Sequence, residues 1–231
     1  IRASVEETVQ AVEQAAGEGY LRVKLKIRPG WDVAVVQAVR QRLPAVALAV
    51  DANGTYGPGD LPVLRALDDM GLAYIEQPLA WDDLDEHAWL QQQLRTAVVL
   101  DESIPSARHA GRALALRACR AINIKPGRMG GHLEAVRAHH VAEAFRVPVL
   151  CGGMLESGVG RAHNLHLATL PQFTWPADMS GSNRYWQHDI VQPELQAHQG
   201  WIPLPPGPGT GVALDADRLR RVLVERRTVR P

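Results

Sequence analysis

Short apolar runs recur along the chain, and a polar cluster follows each of them. Four of these runs, each predicted to be a β-strand, cover residues 46–50, 72–75, 97–100 and 121–124. The polar residues that follow them are, in order, Asp51, Glu76, Asp101 and Lys125. They are 25, 25 and 24 positions apart, which is the length of one strand, one helix and two short loops. The repeat therefore predicts successive βα units.

A further strand, at residues 21–27, alternates strictly between apolar and basic positions. Val23, Leu25 and Ile27 share one face, whereas Lys24 and Lys26 share the other. Side chains on a strand point alternately to its two faces. Because βα units cover the outside of a barrel with helices, we expect the apolar face to pack on helices and the lysines to point into the barrel.

The remaining elements follow from helical periodicity and from turn residues. We predict helices at residues 5–16, 32–43, 60–69, 84–94, 107–118, 133–145 and 215–224, and one that follows residue 156 and ends near residue 170. A sixth strand is predicted at residues 147–150 and a weaker seventh near 173–177, before turn-rich sequence that contains four prolines.

The predicted order of elements is that of an α/β protein with a (β/α)8, TIM-like barrel. Functional groups in such barrels lie at the carboxyl ends of the strands, which is where the polar clusters occur. The pattern supplies seven strands, and the chain opens on a helix. We therefore expect residues 1–231 to be one incomplete barrel domain whose first strand lies upstream of Ile1.

Composition restricts the partners. The 231 residues contain 25 basic and 25 acidic side chains, for a formal net charge of zero, and 46% hydrophobic residues. Such a chain can bury a core but lacks the charge pattern of a nucleic-acid or membrane-surface binder. The two cysteines, Cys119 and Cys151, do not form a disulfide framework. No signal peptide or membrane span is predicted, and we expect a cytoplasmic protein that acts on a small molecule.

Three carboxylates at neighbouring strand ends predict a metal site. Asp51, Glu76 and Asp101 would project into one small volume, where three anions repel one another unless a cation lies between them. Ligands that are all oxygen favour a hard ion such as Mg²⁺ or Mn²⁺. Any one of these residues alone would be explained equally well as a helix cap or a loop acid.

Lysines lie on both sides of the predicted carboxylate cluster. Lys24 and Lys26 come one strand before it, and Lys125 one strand after it. A second lysine and a metal nearby lower the pKa of a lysine toward the range of a base. Such lysines suit proton transfer at a carbon next to a carboxylate. The alternatives are a solvated strand face for the first two and a Schiff-base lysine for Lys125.

Other polar groups are interpreted as structural. His139 and His140 are adjacent and point apart on a helix, and His163 and His166 have no acidic neighbour in their segment. Packing or surface positions explain them better than metal binding. Gly152 and Gly153 lack the spacing of a phosphate-binding loop and fit a loop that approaches substrate closely.

Taken together, these motifs resemble the enolase superfamily, and within it the muconate-lactonising subgroup and its N-acylamino acid racemase / o-succinylbenzoate synthase branch. The resemblance covers nearly the whole chain. It rests on six segments in family order, at residues 24–26, 51–53, 76–78, 101–103, 123–127 and 152–158.

The resemblance implies a role for each matching residue. Asp51, Glu76 and Asp101 match the ligands of one Mg²⁺ or Mn²⁺, and Lys26 and Lys125 match the two acid/base lysines. Supporting residues would be Lys24, Asn53 and Glu102. The substrate pocket would be lined by Asn123, Gly152, Gly153, Met154, Asp178 and Ser180.

The resemblance also implies an activity and a domain arrangement. The reaction would be abstraction of a proton α to a carboxylate, serving a lyase that forms o-succinylbenzoate for menaquinone synthesis, an N-acylamino acid racemase, or both. Family members are implied to be homo-oligomers with an N-terminal α+β capping domain, which we expect to be absent from residues 1–231. The alternatives are another enzyme of the subgroup, such as a dipeptide epimerase, and an inactive barrel fragment with only a structural role.

Overall fold

The computed structural model describes residues 1–228, and a curled half-barrel of six parallel strands organises them. The strands pair in sequence order, each with the next. They are β1 (Val23–Lys26), β2 (Leu48–Asp51), β3 (Ile75–Glu76), β4 (Val98–Leu100), β5 (Ala121–Ile124) and β6 (Val149–Cys151). An antiparallel pair, β7 (Val191–Gln192) with β8 (Ala213–Leu214), lies outside this sheet.

A helix follows each of these six strands, and one helix precedes them. The helices are α1 (Val5–Gly17), α2 (Val33–Arg42), α3 (Leu61–Asp68), α4 (Leu84–Gln93), α5 (Ala107–Ala115), α6 (His132–Ala144), α7 (Gly158–Leu167) and α8 (Ala216–Val222). All eight predicted helices are confirmed, with ends that differ by a few residues. Side chains at N-caps explain several of the starts: Ser4 accepts from the Glu7 N–H, and Asp83 accepts from the Glu86 N–H.

The strands are covered by apolar side chains on both faces. Outward-facing residues such as Leu25, Val50 and Ile122 belong to the main core between the sheet and the helices. A smaller cluster fills the inside of the curl at its amino-terminal end and consists of Ala49, Tyr74, Val99, Ala121 and Leu150, with Trp175 packed against it. This apolar cluster therefore lies below the polar residues that follow the carboxyl ends of the strands.

The prediction for the lysine strand is confirmed. Leu25 and Ile27 are buried in the main core and Val23 packs against it, while Lys24 reaches inward to the Glu76 carboxylate. Among the described residues, β1 pairs with β2 and with no other strand. The other long side of β1 is an edge of the sheet.

The predicted strand at residues 173–177 is wrong. That segment runs beside β6, and the one bridge described there joins Gly152 to Asp178, which directly follows the segment. Pro176 has no N–H to donate, and the Trp175 N–H is 3.5 Å from the Val149 carbonyl, so a regular ladder does not form. The β7–β8 pair was missed because its two-residue strands lie within turn-rich sequence.

Candidate active site

A cavity of about 350 Å³ opens at the carboxyl ends of the six strands. Loops that follow β6, including Gly153, Met154 and Ser180, form one side of it. The opposite side is formed by β1 and its lysines. Parallel strands end at the same edge, so the polar clusters that follow them come together there, and Lys26, Asp51 and Lys125 line the cavity itself.

Strand register brings the predicted residues into line. Lys26 is opposite Asp51 across β1 and β2, and Asp51 is opposite Glu76 across β2 and β3. Asp101 follows β4 directly, and Asn123 lies on β5. The three carboxyl residues are almost fully buried, with exposed fractions of 1%, 0% and 1% for Asp51, Glu76 and Asp101.

Each acid/base lysine of the prediction contacts a different carboxylate. The Lys26 Nζ donates to Asp51 Oδ2 at 2.6 Å, and the Lys125 Nζ donates to Asp101 Oδ2 at 2.7 Å. These two lysines belong to opposite sides of the half-barrel, at the ends of β1 and β5. A molecule that reached the carboxylates would therefore have an ammonium group on each side.

The central lysine has a different environment. Lys24 is within 2.8 Å of Glu76 Oε2 and 3.4 Å of Asp51 Oδ2, and it also pairs with Asp178. Burial tends to lower the pKa of Lys24, but the negative charges of Glu76, Asp178 and Asp51 outweigh it and raise the pKa well above its usual value. This direction is opposite to the one expected for a lysine beside a second lysine and a metal, because three carboxylates contribute negative charge around the Lys24 ammonium group.

Amide side chains orient the charged groups. Asn53 accepts from the Lys26 Nζ at 2.6 Å and donates to Glu102 Oε1 at 2.8 Å, so it links the lysine to the predicted supporting acid. Asn123 donates to Glu76 Oε1 at 3.0 Å, while its own oxygen is buried without a partner. These contacts support a positioning role for Asn53 and Glu102, and they place Asn123 beside the carboxylates.

Gly152 is required by close packing at the end of β6. A Cβ at this position would lie 2.3 Å from Asn123 Oδ1 and 2.5 Å from Lys125 Cε. A real Cβ does not come so close, so a side chain would displace both residues. The glycine therefore makes room for Asn123 and Lys125, in addition to the substrate contact that the sequence predicts.

Burial and mutual repulsion perturb the acids. Burial raises the pKa of Glu76, Lys24 opposes this effect, and Asp51 and Asp101 add to it, with a net result of about 7. Burial likewise raises the pKa of Asp101, although Arg128 and Lys125 act in the other direction. An acid that is hard to ionise beside two other acids marks an excess of negative charge, which a cation would relieve.

The donor set fits a hard divalent cation. Asp51, Glu76 and Asp101 supply oxygen ligands only, which Mg²⁺ and Mn²⁺ prefer. The unpartnered Asn123 oxygen lies next to them. Ammonium groups contact the same carboxylate oxygens, and among the residues described the oxygens of the three acids do not all come within 4.8 Å of one another.

A second cluster, formed by His139, His140 and Glu143, does meet that distance condition. Nevertheless, His139 Nε2 accepts from the Gln172 N–H at 3.0 Å. In a neutral ring the proton is then on Nδ1, which leaves no lone pair there for a metal. The His139 ring also stacks on Phe173, in agreement with the predicted packing role.

Three polar residues of the site were not identified from the sequence. Gln77, fully buried, accepts from the Asp101 and Ser103 N–H groups and so connects the ends of β3 and β4. Arg128 pairs with Asp101, and Arg161 lines the cavity from α7. Gln77 directly follows a predicted ligand, which is a signal that could have found it, whereas nothing in the local sequence indicates that Arg161 is buried.

Comparison with known proteins defines the class of this fold and site. A sequence model described as "Enolase C-terminal domain-like" matches residues 7–218. The chain therefore belongs to the enolase C-terminal domain family, and the predicted resemblance to the enolase superfamily is confirmed. A solved structure of an enolase-superfamily member from Listeria innocua is 43% identical, with a TM-score of 0.91 over 96% of this chain and 60% of its own.

Relatives with named activities are similar over almost the whole chain. An N-succinylamino acid racemase of Thermus thermophilus is 51% identical over 98% of this chain and 62% of its own length. An o-succinylbenzoate synthase of Geobacillus kaustophilus is 49% identical over 96% of this chain and 59% of its own. The chain thus spans about three fifths of the length of the curated relatives it matches.

The sequence predicts no membrane span, and the described helices can be compared with the length and hydrophobicity that a span needs. Within residues 1–228, none of the helices is both long enough and apolar enough to cross a bilayer.

Proposed function

We propose that this chain forms the catalytic barrel of an enzyme that abstracts a proton from the carbon next to a carboxylate, with one Mg²⁺ or Mn²⁺ as cofactor. The observation that carries the proposal is the pair Lys26 and Lys125, which approach buried carboxylates from opposite sides of one cavity. The reaction would be formation of o-succinylbenzoate, racemisation of an N-acylamino acid, or both. The names of the two relatives support this choice.

The cation would be held by Asp51, Glu76 and Asp101. When bound, it supplies positive charge that stabilises the negative charge developing on the substrate carboxylate. The protein supplies the rest: Lys24 and Asn123 hold Glu76 through Nζ and Nδ2. Because both groups donate to the Glu76 carboxylate oxygens, they would keep it oriented during turnover.

The two acid/base lysines would move protons at their Nζ atoms. In dehydration Lys26 takes the proton from carbon and returns it to the departing hydroxyl, while Lys125 acts as a nearby positive charge. In racemisation one lysine removes the proton and the other delivers a proton to the opposite face. Asn53, held by Glu102, would keep the Lys26 Nζ in place for either reaction.

The substrate would occupy the cavity next to these lysines. Gly152, Gly153, Met154 and Ser180 would form the wall opposite β1, and Gly153 and Met154 would be set by the Asp178 carbonyl and the Glu156 carboxylate. Asp178 would act mainly through Lys24, with which it pairs. A small carboxylate is the substrate class that the surrounding cations favour.

We propose further that residues 1–231 are one barrel domain and that an upstream strand and a capping domain complete the protein. Three observations support this arrangement: the relatives are longer, β1 has an edge that no strand of residues 1–228 pairs with, and a cavity of about 510 Å³ lies between the segments at residues 20–22 and 173–177. The complete protein would be a cytoplasmic homo-oligomer that binds neither nucleic acid nor membranes.

Calorimetry and product assays test the proposal on the complete protein that contains residues 1–231. We expect Mg²⁺ or Mn²⁺ to bind at one site and Asp101→Asn to weaken the affinity at least about ten-fold, or ~1.4 kcal/mol. Glu134→Gln is a matched control, because Glu134 is a partly exposed acid of α6 that pairs with Arg137. Unchanged affinity in Asp101→Asn would refute the ligand assignment.

Product assays then separate the reactions. The wild-type protein should convert the o-succinylbenzoate precursor, racemise an N-succinylamino acid, or do both. Epimerisation of a dipeptide alone would favour the other enzyme class of the subgroup. A folded protein that binds metal but acts on none of these substrates would contradict the proposed activity.

A further inference from the structure

We propose that Tyr56 is a positioning residue for Lys26, and that it acts by joining the loop that follows β1 to the loop that follows β2. This inference rests on the proposed function and adds a residue outside the set described above. It starts from a buried tyrosine whose hydroxyl forms a hydrogen bond between the two loops.

The acid/base lysine of β1 depends on both of these loops. Lys26 is the last residue of β1, so the loop at residues 27–32 begins directly after it. Its side chain is 48% exposed, so hydrogen bonds contribute more than packing to its position. One of these bonds is to Asn53 Oδ1 at 2.6 Å, and Asn53 belongs to the loop at residues 52–57. A shift of one loop relative to the other would therefore move the ammonium group away from its acceptor.

Tyr56 connects the second loop to the end of the first. Its side chain belongs to the main core, and its hydroxyl donates to Asp32 Oδ2 at 3.0 Å. The other oxygen of Asp32 accepts from the Val33 N–H at the start of α2. Burial and the negative charge of Asp32 raise the pKa of Tyr56 above its usual value, so the hydroxyl keeps its proton and remains a donor. A core side chain of one loop is thus bonded to the helix cap that ends the other.

The backbone between Tyr56 and Asn53 carries this restraint to the acceptor of the lysine. The Tyr56 N–H donates to the Pro78 carbonyl at 3.1 Å, which fixes the loop on its other side. Asn53 has a φ of 45°. This left-handed conformation costs energy for a residue with a side chain and persists only where the surrounding structure holds it. Tyr56 is therefore one of the groups that keep Asn53 in the conformation that accepts from Lys26.

The restraint acts on one face of the site. Lys125 lies on the opposite side of the half-barrel, where its Nζ donates to Asp101 Oδ2. Among the described residues, the loops at 27–32 and 52–57 make no hydrogen bond to it. Loss of the Tyr56 hydroxyl should therefore misplace Lys26 and leave Lys125 where it is, whereas a general loosening of the site would affect both lysines.

The test measures exchange of the α proton for deuterium in each enantiomer of an N-succinylamino acid, with the complete metal-loaded protein. Tyr56→Phe removes the hydroxyl and retains the ring. For the enantiomer whose exchange depends on Lys26, kcat should fall about ten-fold because the base is misplaced, with KM within about two-fold of wild type. For the enantiomer whose exchange depends on Lys125, both constants should stay within about two-fold of wild type.

Thr55→Val is the matched control, because the Thr55 hydroxyl donates to the Ala52 carbonyl at 2.8 Å within a single loop. This variant removes a hydroxyl hydrogen bond next to Tyr56 without separating the two loops, and it should leave the exchange of both enantiomers unchanged. The proposal is overturned if Tyr56→Phe slows both enantiomers equally, which indicates a structural role alone, or if it slows neither. The same selective loss in Thr55→Val would overturn it as well.

A spectroscopic measurement separates this inference from the proposed activity. Residues 1–231 contain only three lysines, Lys24, Lys26 and Lys125, so NMR of the complete protein labelled at the lysine ε-carbons can follow each one, with Lys26→Arg and Lys125→Arg to assign the signals. Tyr56→Phe should shift the Lys26 signal and leave the Lys125 signal at its wild-type position. An unchanged Lys26 signal would overturn the proposal. Because this measurement needs no turnover, a wild type that exchanges neither enantiomer would count against the proposed function and leave the positioning role to be decided by the NMR signals.

Discussion

Replacement of Gln77 by leucine tests how the carboxylate cluster is held. Gln77 Oε1 accepts from the Asp101 N–H at 3.0 Å and the Ser103 N–H at 3.2 Å, and its Nε2 donates to Ser103 Oγ and the Leu79 carbonyl. Leucine would leave two buried N–H groups unpaired. At about 1–3 kcal/mol each, the free energy of unfolding should fall by about 2–6 kcal/mol, a large part of the ~5–15 kcal/mol typical of a domain.

The effect should also reach the metal, because the Asp101 backbone is one of the groups that Gln77 holds. We expect Gln77→Leu to weaken Mg²⁺ binding at least about ten-fold, or ~1.4 kcal/mol, by calorimetry at a temperature where the variant is folded. Urea unfolding measures the stability loss.

Gln91 offers a matched control at the other end of β4. It is a buried glutamine that accepts from the Val98 N–H at 2.7 Å and donates to the Thr96 carbonyl. Gln91→Leu should lower stability by a similar mechanism and leave metal affinity unchanged. Equal metal affinities in the two variants would refute the argument that Gln77 positions a ligand.

Three further predictions concern single residues. Gly152→Ala should lower kcat at least about ten-fold while the circular dichroism spectrum is retained, because the new Cβ would lie 2.3 Å from Asn123 Oδ1. An unchanged kcat would contradict the inference that Gly152 makes room for Asn123 and Lys125. Burial lowers the pKa of His87 below its usual 6.5, so the unfolded chain binds the proton more tightly than the folded protein does. The free energy of unfolding should therefore fall as the pH drops below 6.5, and it should fall less in His87→Gln. Urea midpoints at several pH values measure this difference, and an equal pH dependence in both proteins would count against it. Tyr74→Phe should raise the free energy of unfolding by up to about 1 kcal/mol, because the Tyr74 hydroxyl is buried without a hydrogen-bond partner. A loss above about 1 kcal/mol in thermal melts would show that the hydroxyl has a hydrogen-bond partner.

The regular part of the fold was predictable because its signal is local. Apolar runs at a 25-residue interval indicated six parallel strands, and the alternation around Lys24 and Lys26 indicated which face points inward. A weaker strand was also predicted near residues 173–177, and it does not form. Its pairing depends on Pro176 and on the geometry of β6, neither of which composition describes.

The cluster of Asp51, Glu76 and Asp101 with its lysines was also predictable, because the carboxyl ends of neighbouring barrel strands lie together. By contrast, Gln77 and Arg161 act through buried contacts between distant segments, and Arg161 is 19 positions from the Ser180 carbonyl that it holds. From residue type alone, both Gln77 and Arg161 would be predicted at exposed surface positions. The number of acids around Lys24 is a contact of the same kind, since Glu76, Asp178 and Asp51, which raise its pKa, come from three different segments.

Stereospecific exchange of the α proton for deuterium is the most direct measurement of the central claim that Lys26 and Lys125 approach one substrate from opposite faces. Each enantiomer of an N-succinylamino acid is incubated in D₂O with Mg²⁺ and the complete protein, and exchange is followed by proton NMR. Wild type should exchange both enantiomers, whereas Lys26→Ala should lose exchange from one enantiomer and Lys125→Ala from the other. Exchange of both enantiomers at wild-type rates in either variant would contradict the account.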